Sequence, residues 1–134
     1  MLPLRHARRW RFAGIAVLIL VLAAALMPGL WFMQEMRDPR FEHADKWFHA
    51  TTFMLLTIWF SGQYSRKSYW RIAAGLLAFG ALIEICQRML TTWRSAETMD
   101  FAADAIGVSA GLLFAWAGAG GWSLRVEQWI AARD

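Results

Sequence analysis

Apolar residues gather along this chain into four blocks separated by polar stretches. Phe12–Met33 runs 22 residues without a charge. Trp47–Tyr64 holds His49 as its one ionisable group before Tyr64. Ile72–Leu90 is interrupted by Glu84 and Arg88, and Phe101–Trp122 carries only Asp104. At 1.5 Å per residue, a 22-residue helix spans about 33 Å, enough for a hydrocarbon core of about 30 Å. The pattern predicts an all-α polytopic membrane protein with four transmembrane helices, the first of them uncleaved. After the fourth block, Trp122, Val126, Trp129 and Ile130 recur at i, i+4, i+7 and i+8, the spacing of one helix face. That face predicts an amphipathic helix lying in the membrane interface. The organisation expected is a basic tail over 1–11, a membrane domain over 12–121 and an amphipathic tail over 122–134.

Charge placement sets the expected orientation. Fourteen Lys and Arg stand against ten Asp and Glu. Nine of the bases fall in the N-terminal tail, the second connection and the C-terminal tail. Five fall in or beside the first and third connections. The positive-inside rule then puts both termini in the cytoplasm. Bases flanking apolar blocks are topology signals rather than a phosphate-tracking stripe, so no nucleic-acid partner is expected. Trp10, Trp31, Trp47, Trp70, Trp93 and Trp122 stand at the expected helix ends, as an aromatic belt would place them. The lone Cys86 excludes an intramolecular disulfide. No phosphate loop, cysteine-based zinc spacing or nucleophile elbow occurs. Neither cofactor nor resident metal is expected.

Ionisable groups inside spans cost roughly 2.5–3.5 kcal/mol each on insertion scales, and they mark functional sites. Here Asp45, Lys46 and His49 open the second helix. Glu84, Gln87 and Arg88 lie in the far half of the third, Arg94, Glu97 and Asp100 in the connection after it, and Asp104 one turn into the fourth. Helix direction brings every one of them to the same membrane face. Asp45 with His49, Glu84 with Arg88, and Asp100 with Asp104 are i, i+4 pairs, each sharing a helix face. Ala103, Gly107 and Gly111 form a small-residue ridge, expected opposite the acids, along which another helix or a second copy of the chain could approach. Ser109 is expected to bond a backbone carbonyl rather than act as a nucleophile.

The run Asp45-Lys46-x-x-His49, Glu84-x-x-Gln87, Arg94, Asp100-x-x-x-Asp104-x-x-Gly107-x-x-x-Gly111 resembles the VanZ-like family. These are small polytopic membrane proteins named for a teicoplanin-resistance accessory protein. The resemblance covers Asp45 to Gly111, half the chain. The family carries Asn where this chain has Asp104, and a buried carboxylate needs charge compensation that an amide does not. The resemblance implies a bacterial cytoplasmic membrane, a polar site on the outer face and a role in the cell envelope.

Several uses of such a site stay open on sequence. A polar network could simply lock three helices together. A divalent metal on His49, Glu84 and Asp104, or a proton relay through the same three, would also use these residue types. A lipid-phosphate hydrolase or transferase could employ His49, with Asp45 orienting its ring and Arg94 stabilising charge. The reading favoured here is recognition of an amphiphile: a phospholipid, a lipid-linked cell-wall precursor or a lipoglycopeptide. Lys46, Arg88 and Arg94 would grip its head group, and the apolar flanks its chain.

Overall fold

The structure is a computed structural model, and it describes residues 1–26, 44–90 and 98–133. Every regular element among them is helical. The order is α1 (Ala7–Leu26), α2 (Ala44–Ser61), a 3₁₀ turn (Arg66–Ser68), α3 (Tyr69–Leu90), α4 (Thr98–Phe114), a π-type turn (Ala115–Ala119) and α5 (Trp122–Ala131). Among the described residues, three helical stretches are long and apolar enough to cross a membrane: Ala7–Leu26, Arg66–Leu90 and Met99–Ala131. The second helix is not among them, because Asp45, Lys46 and His49 occupy its first turns. At 18 residues it still spans about 27 Å.

Burial explains the polar composition of α2. It is the central helix, with Phe53, Leu56, Thr57 and Ser61 all buried. Thr57 returns its hydroxyl to the Phe53 carbonyl at 2.7 Å, which satisfies it inside the bundle. The closest packing is between α2 and α4. A Cβ on Gly107 would collide with the Ala50 carbonyl, and one on Gly111 would lie 2.5 Å from Thr57 Cβ. The small-residue ridge therefore serves an intrachain approach, which lets two backbones come together without a hydrophobic driving force. It is covered by α2, so the fold does not use it as the face between copies that the sequence suggested. Nor does the ridge lie opposite the acids: Asp100, Ala103, Asp104, Gly107 and Gly111 share the buried side of α4. Ser109 bonds the Ala105 carbonyl at 2.8 Å as expected, but from the exposed side.

The helix boundaries differ from the apolar blocks in a consistent direction. The first three begin about three to five residues earlier, since polar first turns are acceptable at a helix end. The fourth block does not run unbroken to Trp122. Gly118 adopts φ 127° and Gly121 φ 70°, conformations open to glycine and strained for other residues. The break lets α5 turn away from α4. Arg66 donates to the Trp116 carbonyl at 3.1 Å and Arg125 to the Gly118 carbonyl at 2.9 Å, so two cations serve the carbonyls that the break leaves open.

The end of the bundle bearing the N-terminus is held by polar bonds. Leu2 N–H donates to the Gln63 carbonyl and Gly121 N–H to the Ser61 carbonyl. The Ser123 hydroxyl donates to the Gly62 carbonyl, and Trp122 Nε1 to the Ile58 carbonyl at 3.0 Å. Glu127 accepts from Arg5 N–H at 2.6 Å, His6 N–H at 2.9 Å and Trp10 Nε1 at 2.9 Å. A carboxylate at that place caps α1 from a distant part of the chain and faces its positive dipole end. Burial pushes the Glu127 carboxyl up, but these N–H donors outweigh it and hold it below the ordinary carboxylate range. Trp10, Trp59 and Trp122 pack together, with ring centroids 5.3–5.8 Å apart. Two of the tryptophans expected in an aromatic belt thus pin α1, α2 and α5 to one another, whereas Trp47 and Trp70 are exposed.

Candidate functional site

The polar residues of α2, α3 and α4 meet at the opposite end of the bundle. Three local facts put them there. His49 lies one turn into α2, Asp100 and Asp104 occupy the first two turns of α4, and Glu84 stands six residues before the end of α3. Since α3 runs antiparallel to α2 and α4, its last turns lie beside their first ones.

At the centre is His49, whose side chain is 10% exposed. Its Nδ1 lies 2.8 Å from Asp104 Oδ1, and Asp104 is fully buried. A carboxylate accepts, so Nδ1 is the donor, and the bond fixes the ring plane. The other ring nitrogen, Nε2, faces Asp100 Oδ2 at 4.0 Å. Glu84 is buried alongside, and His49, Glu84 and Asp100 each offer a donor atom within 4.8 Å of the other two. The sequence-predicted group of Glu84, Asp100, Asp104 and His49 is therefore brought into one small volume.

Asp104 Oδ2 has no hydrogen-bond partner among the described residues. It lies over Gly80, where a Cβ would stand 2.5 Å away. Gly80 sits one turn before Glu84 on α3, and Phe53 closes the space beneath it. Gly80 was not singled out from sequence. Its i, i+4 relation to Glu84 was the one available signal: a glycine on the polar face of an otherwise apolar helix leaves room for a neighbour.

The remaining predicted residues divide. Gln87 is fully buried and donates from Nε2 to the Ala25 carbonyl at 3.1 Å. That carbonyl is in the last turn of α1, where helix geometry leaves acceptors open, so Gln87 ties α1 to the site helices. Lys46 is half-buried in the first turn of α2. Arg88 is exposed on α3, and no hydrogen bond or ion pair joins it to the cluster among the described residues. Asp45 is in the first turn of α2, its side chain outside the described structure, and Arg94 and Glu97 lie outside the described residues altogether.

Large apolar side chains also reach the surface at this end. Trp47, Met89, Leu90, Met99 and Phe101 are all exposed at the same end. No family model, curated protein or solved structure matches the chain.

Proposed function

We propose that the chain is a VanZ-like integral membrane protein whose four helices α1–α4 span a bacterial cytoplasmic membrane and whose outward end recognises an amphiphile. The observation that carries this reading is a buried His49–acid centre ringed by exposed Trp47, Met89, Leu90, Met99 and Phe101. A head group would meet the polar centre while its chain lay against the apolar rim. Lys46, Arg88 and Arg94 would supply the cations for a phosphate or carboxylate, and the buried acids would receive an amine or sugar hydroxyl. Phospholipids, lipid-linked cell-wall precursors and lipoglycopeptides share this chemistry. A part in teicoplanin resistance or envelope homeostasis is the setting the resemblance suggests.

Two further features support a membrane orientation with both termini in the cytoplasm. Nine of the fourteen bases belong to the first eleven residues, the segment 66–71 and the last ten residues, all at the end away from His49. The helix α5 has the inverse of a soluble polarity. Its Ser123 and Glu127 face the protein, while Val126, Trp129 and Ile130 point outward. Such a helix has its partner in the acyl boundary of a leaflet.

Binding to vesicles containing an anionic phospholipid tests the recognition reading. Arg94→Ala is expected to weaken binding at least tenfold more than Arg133→Ala, which removes a cation from the other end. Equal effects of the two variants would overturn a specific outward site. A second reading, a lipid-phosphate hydrolase, is favoured by one contact: Asp104 orients the His49 ring, the role first given to Asp45. Phosphate release from a prenyl pyrophosphate that vanishes in His49→Ala would establish it.

A further inference from the structure

We infer that His49, Glu84 and Asp100 form a binding site for a divalent transition-metal ion of the zinc class, with Asp104 as the residue that orients the histidine. The inference goes beyond amphiphile recognition and does not depend on it.

Three helices deliver the donors. His49 comes from α2, Glu84 from α3 and Asp100 from α4, and one ligand atom of each lies within 4.8 Å of the other two. A tetrahedral zinc ion with bonds of 2.0–2.2 Å holds its donors roughly 3.4 Å apart. The His49 Nε2 to Asp100 Oδ2 distance of 4.0 Å is about 0.6 Å wider than this, and across the trio, whose atoms lie within 4.8 Å, closure takes at most about 1.4 Å of carboxylate rotation. One imidazole and two carboxylates suit zinc or manganese, and three protein ligands leave a position open for water or an oxygen ligand.

The arrangement behind the histidine points the same way. Histidine metal ligands commonly donate their second ring N–H to a carboxylate, which fixes the tautomer and raises ligand basicity. The Asp104 Oδ1 contact with Nδ1 at 2.8 Å is that arrangement, and it leaves Nε2 aimed at Asp100. The metal set open on sequence had placed Asp104 among the ligands. Geometry gives that place to Asp100 and moves Asp104 behind the ring. A second observation concerns Asp104 itself. It is completely buried beside the trio, yet its Oδ2 has no hydrogen-bond partner among the described residues. An orphaned carboxylate oxygen at that depth marks a second acid held unpaired directly behind the histidine, in the place that a ligand-orienting carboxylate takes.

The competing arrangement is a protonated His49 held between two carboxylates, which would bind no metal. The distinguishing experiment uses the full-length protein in detergent, stripped with a chelator and then titrated with Zn²⁺ alone against a chromophoric competitor. One Zn²⁺ per chain is expected. His49→Ala, Glu84→Gln and Asp100→Asn should each weaken it on the order of 100-fold or more, and Asp104→Asn on the order of 10–100-fold. Far-UV circular dichroism of each variant reports whether it has folded. X-ray absorption on the zinc-loaded wild type reads the site without any variant, and should show one imidazole nitrogen with oxygen neighbours. Failure of the wild type to retain stoichiometric Zn²⁺, a shell without imidazole, or folded variants that bind as tightly as wild type would overturn the site. None of these readings involves a lipid, so the amphiphile proposal stands or falls separately.

Discussion

Gly107→Ala is expected to destabilise the protein by roughly 2–3 kcal/mol, and Gly107→Leu to prevent α2 and α4 from assembling. The three nearest atoms to a Cβ at this position are all backbone: the Ala50 carbonyl oxygen, its carbon at 2.9 Å and its Cα at 3.0 Å. A flexible side chain could turn aside, but backbone inside a hydrogen-bonded helix cannot. The whole of α2 must move away. Overpacking of this kind costs about 1–3 kcal/mol and occasionally more, against a total stability of only 5–15 kcal/mol for typical domains. The displacement also reaches the site, because Ala50 follows His49 directly. A shift of α2 that clears the new methyl group stretches the 2.8 Å His49–Asp104 bond as well. Gly75→Ala is the matched control. Nothing lies within 4 Å of a Cβ there, so it should change stability by less than about 1 kcal/mol, in the stabilising direction. Thermal unfolding of both variants in one detergent, followed by circular dichroism, measures the difference.

Asp104→Leu is expected to cost about 3–5 kcal/mol, and His49→Leu introduced with it to return part of that loss. The single substitution removes the acceptor of a buried imidazole N–H and leaves the donor with no water to turn to. Losing one partner of a buried polar pair costs far more than losing both, since the second substitution removes the stranded group. A double-mutant cycle isolates the pair. A coupling of about 1.5–3 kcal/mol is expected for a hydrogen bond to a carboxylate at this depth. Ordinary polar contacts between membrane helices average about 0.6 kcal/mol. A cycle that returned this smaller figure would make the His49–Asp104 bond an unremarkable packing contact.

Much of the architecture is legible in the pattern of the chain, because it follows from local periodicity. The uncharged run that begins at Phe12 and the apolar Ile72–Leu90 both announce helices long and apolar enough to cross a membrane. The meeting of His49, Glu84, Asp100 and Asp104 was also legible, from helix direction alone. Antiparallel neighbours must bring the start of α2 and α4 to the end of α3, whatever their packing angle. The features that were not legible depend on contacts across long separations. Nothing local marks Glu127 as the cap of α1, since its partners are more than a hundred residues away. Gly80 gives no sign of its purpose until Asp104 is placed above it. The division of labour between Asp100 and Asp104 was hidden for the same reason: both share one helix face, and only the position of the imidazole ring tells them apart. The start of α5 at Trp122 is legible in its own periodicity, whereas the earlier end of α4 at Phe114 is not, because Gly118, Gly120 and Gly121 are also compatible with an apolar span.

Polarity, finally, has the opposite meaning in α2 and α5 from its meaning in a soluble fold. In α2, Thr57, Ser61 and most of His49 lie in the interior, and in α5 the apolar Val126, Trp129 and Ile130 are the outer ones. A protein whose polar groups converge inward at one end has that end as its natural place for chemistry or recognition.

Native mass spectrometry of the protein released from its own membranes tests the central claim most directly, with wild type beside His49→Ala/Arg94→Ala. A discrete lipid or lipid-linked adduct on the wild type, lost from the variant, is the predicted result, and its mass would identify the class of amphiphile. Absence of any specific adduct on the wild type, together with a variant that merely unfolds more readily, would contradict recognition and leave the cluster as a network that holds helices together.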